Sequence, residues 1–171
     1  MVFDGTAGST EADGFAAVFQ AHQRAVYQLA FVLCGDASLA EDATAEAFAG
    51  VYRRWSASRP ADPGAYLRRA VVNQLHGRFR RLRLERANAA RRSGDDRGSR
   101  TFEDWSADHD ELCRALLTLP PRQRAAVVLR YFEDLPETEV ADVLGTSVGT
   151  VKGYVSRGLD RLRQELDEED A

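Results

Sequence analysis

The segment from Pro136 to Arg163 constrains the fold most, because it has the pattern of two helices joined by a tight turn. The predicted buried faces hold Val140, Ala141 and Leu144 in the first helix and Val151, Val155 and Leu159 in the second. Gly145 suits the turn conformation that a side chain would resist, and Ser147 is a suitable N-cap for the second helix. An ordinary helical hairpin has the same apolar spacing. The coincidence of these features favours a helix-turn-helix that presents its second helix to a DNA major groove.

The outer face of that second helix holds the candidate DNA-reading residues. Lys152, Ser156 and Arg157 lie off the apolar stripe. Gly153 lies inside the same helix, where glycine costs about 1 kcal/mol relative to alanine. It also removes a side chain that could touch DNA, so we expect this helix to hold DNA loosely.

The net charge of −4 hides a strong asymmetry along the chain. Residues 1–67 carry a net charge of −4, residues 68–100 carry +8 and residues 101–171 carry −8. Local fields decide whether a surface attracts a polyanion. The middle block is therefore the predicted electropositive patch, although the whole chain is acidic.

A helix within this block carries a second informative pattern. One stripe at helical spacing holds Arg69, Asn73, His76, Arg80 and Arg83. The opposite side holds Leu67, Val71, Leu75 and Leu82, with Arg78 among them, which must reach outward or pair. A solvated charged face is the usual explanation for such a stripe. Charges of one sign repel one another along a helix, so a nucleic acid partner explains the stripe better. The amide of Asn73 could read a base edge.

The remaining periodicity predicts an all-α chain of two small helical domains joined by a flexible linker. Residues 1–13 are expected to be disordered, residues 14–87 form the first domain, residues 88–109 the linker, residues 110–166 the second domain and residues 167–171 an acidic tail. Asp36, Asp62-Pro63 and Pro121 are predicted helix starts. Helical spacing predicts the first helix from Gly14 to Leu33. The predicted inward set includes Phe19 in this helix and Phe132 in the helix after Pro121.

The sequence gives no pattern for catalysis or for a cofactor. Cys34 and Cys113 are far apart and are read as buried thiols rather than as a zinc or redox site. The three histidines are scattered, and no phosphate loop or nucleophile elbow occurs. No run is apolar enough to cross a membrane and no signal segment begins the chain, so a cytoplasmic protein that is not an enzyme is expected.

Four segments, taken in order and spacing, resemble the sigma factors of bacterial RNA polymerase, of the two-domain extracytoplasmic-function (ECF) type in the sigma-70 family. They are AEDATAEAF at 40–48, DPGAYLRRAVVNQLHGRFRR at 62–81, LPPRQRAAVVLRYFEDL at 119–135 and ETEVADVLGTSVGTVKGYVSRGLDRLR at 137–163. The variants around Tyr66 and Asn73 resemble an actinobacterial subgroup. The chain departs from the common pattern at Ala45, Tyr66, Val72, Gly77 and Gly153.

The resemblance implies a role for each domain in transcription initiation. The first domain would bind the clamp coiled coil of core RNA polymerase through Glu41, Asp42, Glu46 and Phe48. It would read the melted −10 element with the loop 58–64 and with Tyr66, Arg69, Asn73, His76, Arg80 and Arg83. The second would read duplex −35 DNA with Arg122, Arg124, Ser147, Lys152, Gly153, Ser156 and Arg157. Among these, the resemblance implies phosphate contacts for Arg122 and Arg124. The polymerase flap and, in many members, an anti-sigma factor are further partners; no cofactor is implied.

Two other functions are compatible with parts of the sequence. A stand-alone helix-turn-helix regulator would use only the second domain and would leave residues 40–48 without a role. A module that titrates polymerase would bind it without supporting promoter-dependent transcription.

Overall fold

The computed structural model describes the backbone of residues 6–55, 57–89 and 107–169, and the side chains of residues 13–55, 57–81 and 111–166. Over these ranges the chain forms α-helices without strands, as predicted. The helices are α1 (Thr6–Cys34), α2 (Ala37–Trp55), α3 (Pro63–Ala89), α4 (Ala107–Thr118), α5 (Pro121–Tyr131), α6 (Glu137–Leu144) and α7 (Val148–Glu169). None of the described helices is both long enough and apolar enough to cross a membrane.

Local side-chain chemistry sets the starts of four helices at the predicted residues. The Asp36 carboxylate accepts a hydrogen bond from the Leu39 amide at 2.8 Å, and that of Asp62 accepts one from the Ala65 amide at 2.9 Å. Ser147 Oγ accepts one from the Thr150 amide at 3.2 Å. Each cap satisfies an amide that has no partner inside its helix. Pro121 is the first residue of α5, where its missing N–H costs nothing.

The first half of the molecule is a three-helix unit built on the predicted apolar faces. The inward residues of α2 and α3 are buried, including Ala43, Ala47, Val51, Leu67, Val71 and Leu75. Phe19 is an exception, because 41% of its surface is exposed. Its ring packs against Phe48 with the ring centroids 4.8 Å apart, at the edge of the core rather than inside it.

The second half packs α4 to α7 around the helix-turn-helix. Val140, Ala141, Leu144 and Val151 are buried, as predicted. Val155 and Leu159 are only half-buried, and the deepest line of α7 continues through Gly158 and Leu162. Gly158 is required there, because a Cβ would come within 2.7 Å of the Val127 side chain on α5.

The predicted inward position of Phe132 is wrong. Its helix ends at Tyr131, and Phe132 forms the C-cap with 48% of its surface exposed. Leu135 is buried instead, after its amide turns back to donate to the Leu129 carbonyl at 3.1 Å. The helix ends one residue before Phe132, so the helical spacing that predicted an inward side chain no longer applies at this position.

Several predicted boundaries differ from the helices. α1 begins at Thr6 rather than at Gly14, so residues 6–13 are helical and not disordered. Gly14 lies within the helix, where a Cβ would be 3.3 Å from the Trp55 ring, and this packing explains a glycine that resembled a helix start. α4 begins at Ala107 within the predicted linker, and α7 extends to Glu169 in the predicted tail. Residues 1–5, 90–106 and 170–171 of those segments lie outside the described residues.

The two helical units contact each other along a seam. We use seam for the surface where α1 and α3 pack against α4, α5 and α6. Buried apolar residues from both units form one continuous cluster across it. One side of the arginine-rich helix α3 therefore faces the second unit.

Candidate nucleic-acid interface

The second helix of the helix-turn-helix presents a polar face to solvent. Gly145 ends α6 in the left-handed conformation, with φ of 60°, and its amide bonds back to the last turn of that helix. This turn and the Ser147 cap fix where α7 begins. On α7, Lys152, Ser156 and Arg157 are all exposed, on the side away from Val151. The geometry is that of a helix able to enter a major groove.

Lys152, Ser147 and Arg157 on this face each have a different contact within the protein. The Lys152 ammonium lies 3.6 Å from the Glu137 carboxylate of α6, which partly offsets its charge. Ser147 is exposed, but its hydroxyl already serves as the cap and lies 2.9 Å from the Thr150 hydroxyl. Gly153 is half-buried beneath the guanidinium of Arg157, so Arg157 folds back along its own helix.

Of the two arginines predicted to touch phosphate from α5, only one is accessible. Arg122 is exposed at the start of the helix. Arg124 is buried, with 6% of its surface exposed, so the expected phosphate contact is wrong for this arrangement. Its guanidinium donates to the Leu119 carbonyl at 3.5 Å and lies 5.7 Å from the centre of the Phe79 ring on α3. Arg124 therefore joins the two units.

On α3 the exposed stripe is narrower than predicted. Arg69, Asn73 and Arg80 are exposed, whereas His76 is half-buried on the side of the seam. The side chain of Arg83 lies outside the described residues. Leu67, Val71 and Leu75 occupy the core side, and Val72 is buried as well. Three residues thus remain as the free polar edge of this helix.

Tyr66 stands at the N-terminal end of α3, beside the last turn of α2. Its ring is half-buried, with the guanidinium of Arg54 5.6 Å from the ring centre. A Cβ on Gly50 would lie 3.3 Å from the Tyr66 hydroxyl, so the glycine admits the ring. In the adjoining loop, the guanidinium of Arg59 lies 4.3 Å from the centre of the Trp55 ring. The contact between Arg59 and Trp55 was not predicted. Its only sign in the sequence is an arginine four residues after a tryptophan.

The seam holds ionisable groups in unusual environments. Burial lowers the pKa of the His76 imidazole below its usual 6.5, an effect that the Pro121 backbone opposes and that Arg122 and Arg124 reinforce. Burial also raises the pKa of the Glu133 carboxyl, and the charge of Arg68 on α3 opposes it. Two α3 atoms near this seam, Arg68 Nε and His76 Nε2, are buried without a hydrogen-bond partner in the described protein.

We expect His76 to make the folded state sensitive to acid. Because the pKa is lower in the folded state, the unfolded chain binds more protons as pH falls through 6.5, and stability is lost there. Urea unfolding at about pH 7 and about pH 5 measures this loss. In His76→Gln the loss between the two pH values should be smaller than in the unaltered protein. An equal loss in both proteins would contradict this assignment.

A cleft between α2 and α3 places the outer face of α2 next to Asn73. Its lining includes Asp42, Glu46, Asn73 and Arg78. The Arg78 guanidinium lies 3.6 Å from the Asp42 carboxylate, which is the pairing expected for an arginine on the apolar side. The pair is about half exposed, so it contributes little to stability.

The predicted polymerase-binding residues divide into an exposed and a buried group. Glu41, Asp42 and Glu46 are exposed on α2, and Glu46 lies 3.4 Å from Arg53. Phe48 is 3% exposed and belongs to the core, so a direct docking role for its whole ring is wrong. It forms the floor of an apolar groove between α1 and α2 that also includes Phe19 and Tyr27, whose part in a surface the sequence did not predict.

The two cysteines are free thiols, and the predicted burial holds fully for one of them. Cys113 is buried, and Cys34 is half-buried beside the Asp36 carbonyl. Burial raises the pKa of the Cys34 thiol to about 11, so the reactive thiolate is disfavoured.

The amino-acid sequence is similar to those of known proteins of one family. Residues 18–85 match the family model for sigma-70 region 2, and residues 109–162 match that for sigma-70 region 4. The RNA polymerase sigma-E factor of Streptomyces antibioticus is 36% identical over 159 residues, covering 91% of this chain and 86% of the relative. The ECF RNA polymerase sigma factor SigE of Mycolicibacterium smegmatis is 32% identical over 170 residues, covering 96% of this chain and 66% of the relative.

The fold also matches a solved structure. The sigma factor RpoE of Bartonella quintana, determined in complex with the anti-sigma factor NepR, superposes with a TM-score of 0.73 at 21% identity. The match covers 90% of this chain and 97% of that one. This likeness shows the fold. The two region matches and the relatives show that the chain belongs to the ECF sigma factors, which are transcription initiation factors of bacterial RNA polymerase.

Proposed function

We propose that this sigma factor binds core RNA polymerase through its first unit and reads two promoter elements, one with each unit. The second unit reads the −35 element as duplex DNA. The first reads the −10 element and helps to melt it. No cofactor takes part, and the factor acts in the cytoplasm, where the polymerase is.

The exposed polar face of α7 carries this proposal. Ser156 and Arg157 project from a helix whose opposite side is buried, and Lys152 lies one turn nearer the N-terminus. These residue types can pair with base edges or phosphates in a major groove. Arg122, at the start of α5, adds an exposed cation for a neighbouring phosphate.

The free edge of α3 supports the proposed reading of the −10 element. Arg69 and Arg80 supply exposed positive charge for the backbone, and Asn73 lies between them with both a donor and an acceptor. Tyr66 and the loop 58–64 lie at the N-terminal end of α3, the end nearer to Arg69. Aromatic rings and arginines are the groups on which unstacked bases and strand phosphates are held.

The outer face of α2 supports the proposed docking on polymerase. Glu41, Asp42 and Glu46 form an exposed acidic edge on α2. Glu41 borders the apolar groove of Phe19 and Tyr27, and the other two carboxylates border the cleft toward α3. An apolar groove with a charged rim is suited to a protein partner. We extend the proposal to the polymerase flap as a contact of the second unit and to an anti-sigma factor, since the Bartonella protein was determined with one.

Run-off transcription with core polymerase tests the proposal. We expect promoter-specific transcripts from a genomic library only when this protein is added. Glu41→Arg/Glu46→Arg should abolish them by reversing the acidic edge, while duplex binding by a stand-alone regulator would survive that change. Absence of any dependent transcript in the library would overturn the proposal. Polymerase binding without transcripts would identify a titrating module instead.

A further inference from the structure

Gly153 lies on the side of α7 that faces solvent, and the side chain of Arg157 covers it. A Cβ at Gly153 would lie 3.2 Å from Arg157 Nη1, 3.3 Å from Nη2 and 3.6 Å from Cζ. Both Nη atoms lie nearer than Cζ, so the guanidinium turns its Nη1–Nη2 edge toward the position of the missing side chain. Arg157 Cζ also lies 5.7 Å from the centre of the Tyr154 ring. The hydrogen on Gly153 thus leaves a seat for the arginine.

The seat determines where the positive charge of Arg157 is placed. Side chains on a helix lean toward its N-terminus, and residues four apart lie one above the other. The guanidinium therefore lies about one turn, or roughly 5.4 Å, nearer the N-terminal end of α7 than its own Cα. That end is the one that reaches base edges in helix-turn-helix proteins.

One side of the guanidinium stays able to bind DNA. Its five N–H groups lie in the plane of the group, so a contact along the Nη1–Nη2 edge leaves the Nε–Nη edge available as a bidentate donor. The ammonium of Lys152 is instead 3.6 Å from Glu137. Arg157 is therefore the better-placed cation on this face for a bidentate contact.

We propose that Gly153 is a positioning residue for recognition of the −35 element: its missing side chain seats the Arg157 guanidinium, which then binds a pair of acceptor atoms in the major groove. The pair is either guanine O6 and N7 or two phosphate oxygens. This inference rests on the proposed function. It also replaces the expectation that Gly153 only loosens the grip on DNA.

The proposal predicts that stability and DNA affinity change in opposite directions. Gly153→Ala should raise the urea midpoint, because alanine favours a helix. The same change displaces the guanidinium, so the promoter affinity of the polymerase holoenzyme should fall about five- to a hundredfold. Gly149→Ala is the matched control on the same helix, since its Cβ would meet only Ser147 Oγ at 3.9 Å. Its effect on affinity should be the same with and without Arg157, because it does not touch that side chain.

A double-mutant cycle shows whether Gly153 acts through Arg157. In an Arg157→Ala background, Gly153→Ala should cause little further loss of holoenzyme affinity. Loss of discrimination at one −35 base pair identifies guanine as the ligand, whereas a uniform loss with a salt slope smaller by about 1 identifies phosphate. Unchanged affinity in Gly153→Ala, or the same loss with and without Arg157, overturns the inference. An unaltered holoenzyme that ignores the −35 sequence overturns the proposed function itself.

Discussion

Gly35→Ala is expected to lower the free energy of unfolding by about 2–5 kcal/mol, measured by urea denaturation. Gly35 links α1 to the Asp36 cap in the left-handed conformation, with φ of 68°, where a Cβ adds about 1–2 kcal/mol of strain. The new Cβ would also overlap Leu117 of α4, with Cδ2 only 2.9 Å away. Overpacking of this kind costs about 1–3 kcal/mol. Gly35 is thus where the first unit meets the second.

Gly145→Ala is the matched control for this substitution. Gly145 has a similar φ of 60°, but a Cβ there would meet nothing within 4 Å. It should therefore lose only the backbone term, about 1–2 kcal/mol. Leu117→Ala should partly relieve Gly35→Ala, giving a coupling of about 1 kcal/mol or more in a double-mutant cycle. If Gly35→Ala were no worse than Gly145→Ala, close packing against Leu117 would not be limiting.

The second large effect concerns the two kinds of contact proposed for α3. Arg80→Ala should weaken promoter opening on all promoters, because a phosphate contact carries no sequence information. Asn73→Ala should instead change preference at one −10 position by about tenfold, because its amide can distinguish base edges. Permanganate detection of opened DNA, on promoters with single −10 substitutions, measures both effects.

Arg81→Ala is the control for loss of charge in this experiment. Arg81 is exposed on the same helix and lines the cleft. It lies about 100° around the helix from Arg80, and so off the stripe of Arg69, Asn73 and Arg80. Its replacement should affect opening less than that of Arg80. If Asn73→Ala weakened all promoters equally and Arg80→Ala altered base preference, the proposed assignment of the α3 edge would be reversed.

Features controlled by neighbouring residues could be predicted from the sequence. Asp36, Asp62 and Ser147 cap the helices that they were expected to cap, because an N-cap acts on an amide three residues away. Gly145 likewise has the left-handed conformation expected of the turn. The family resemblance, carried by ordered motifs, is confirmed by the two region matches.

Features controlled by distant residues could not be predicted in this way. Arg124 resembled an exposed phosphate contact because the period of α5 does not reveal that Phe79 of α3 covers it. Gly14 was predicted to begin the first helix. A glycine is present there because the Trp55 ring, far away in sequence, packs against it, and the local sequence does not reveal this contact. His76 belongs to the α3 stripe by angle, yet the approach of the second unit removes it from the free edge.

The seam between the two units has a consequence for how firmly they are held together. Arg68 Nε and His76 Nε2 are buried there without a hydrogen-bond partner among the described residues. A buried polar atom that stays unpaired costs about 1–3 kcal/mol. Water would satisfy both atoms if the units separated, and this gain offsets part of the apolar burial that would be lost along the seam. Hydration of these two atoms therefore offsets part of the free energy that holds the units together. A partner that binds either unit needs to supply only the remaining free energy to separate them.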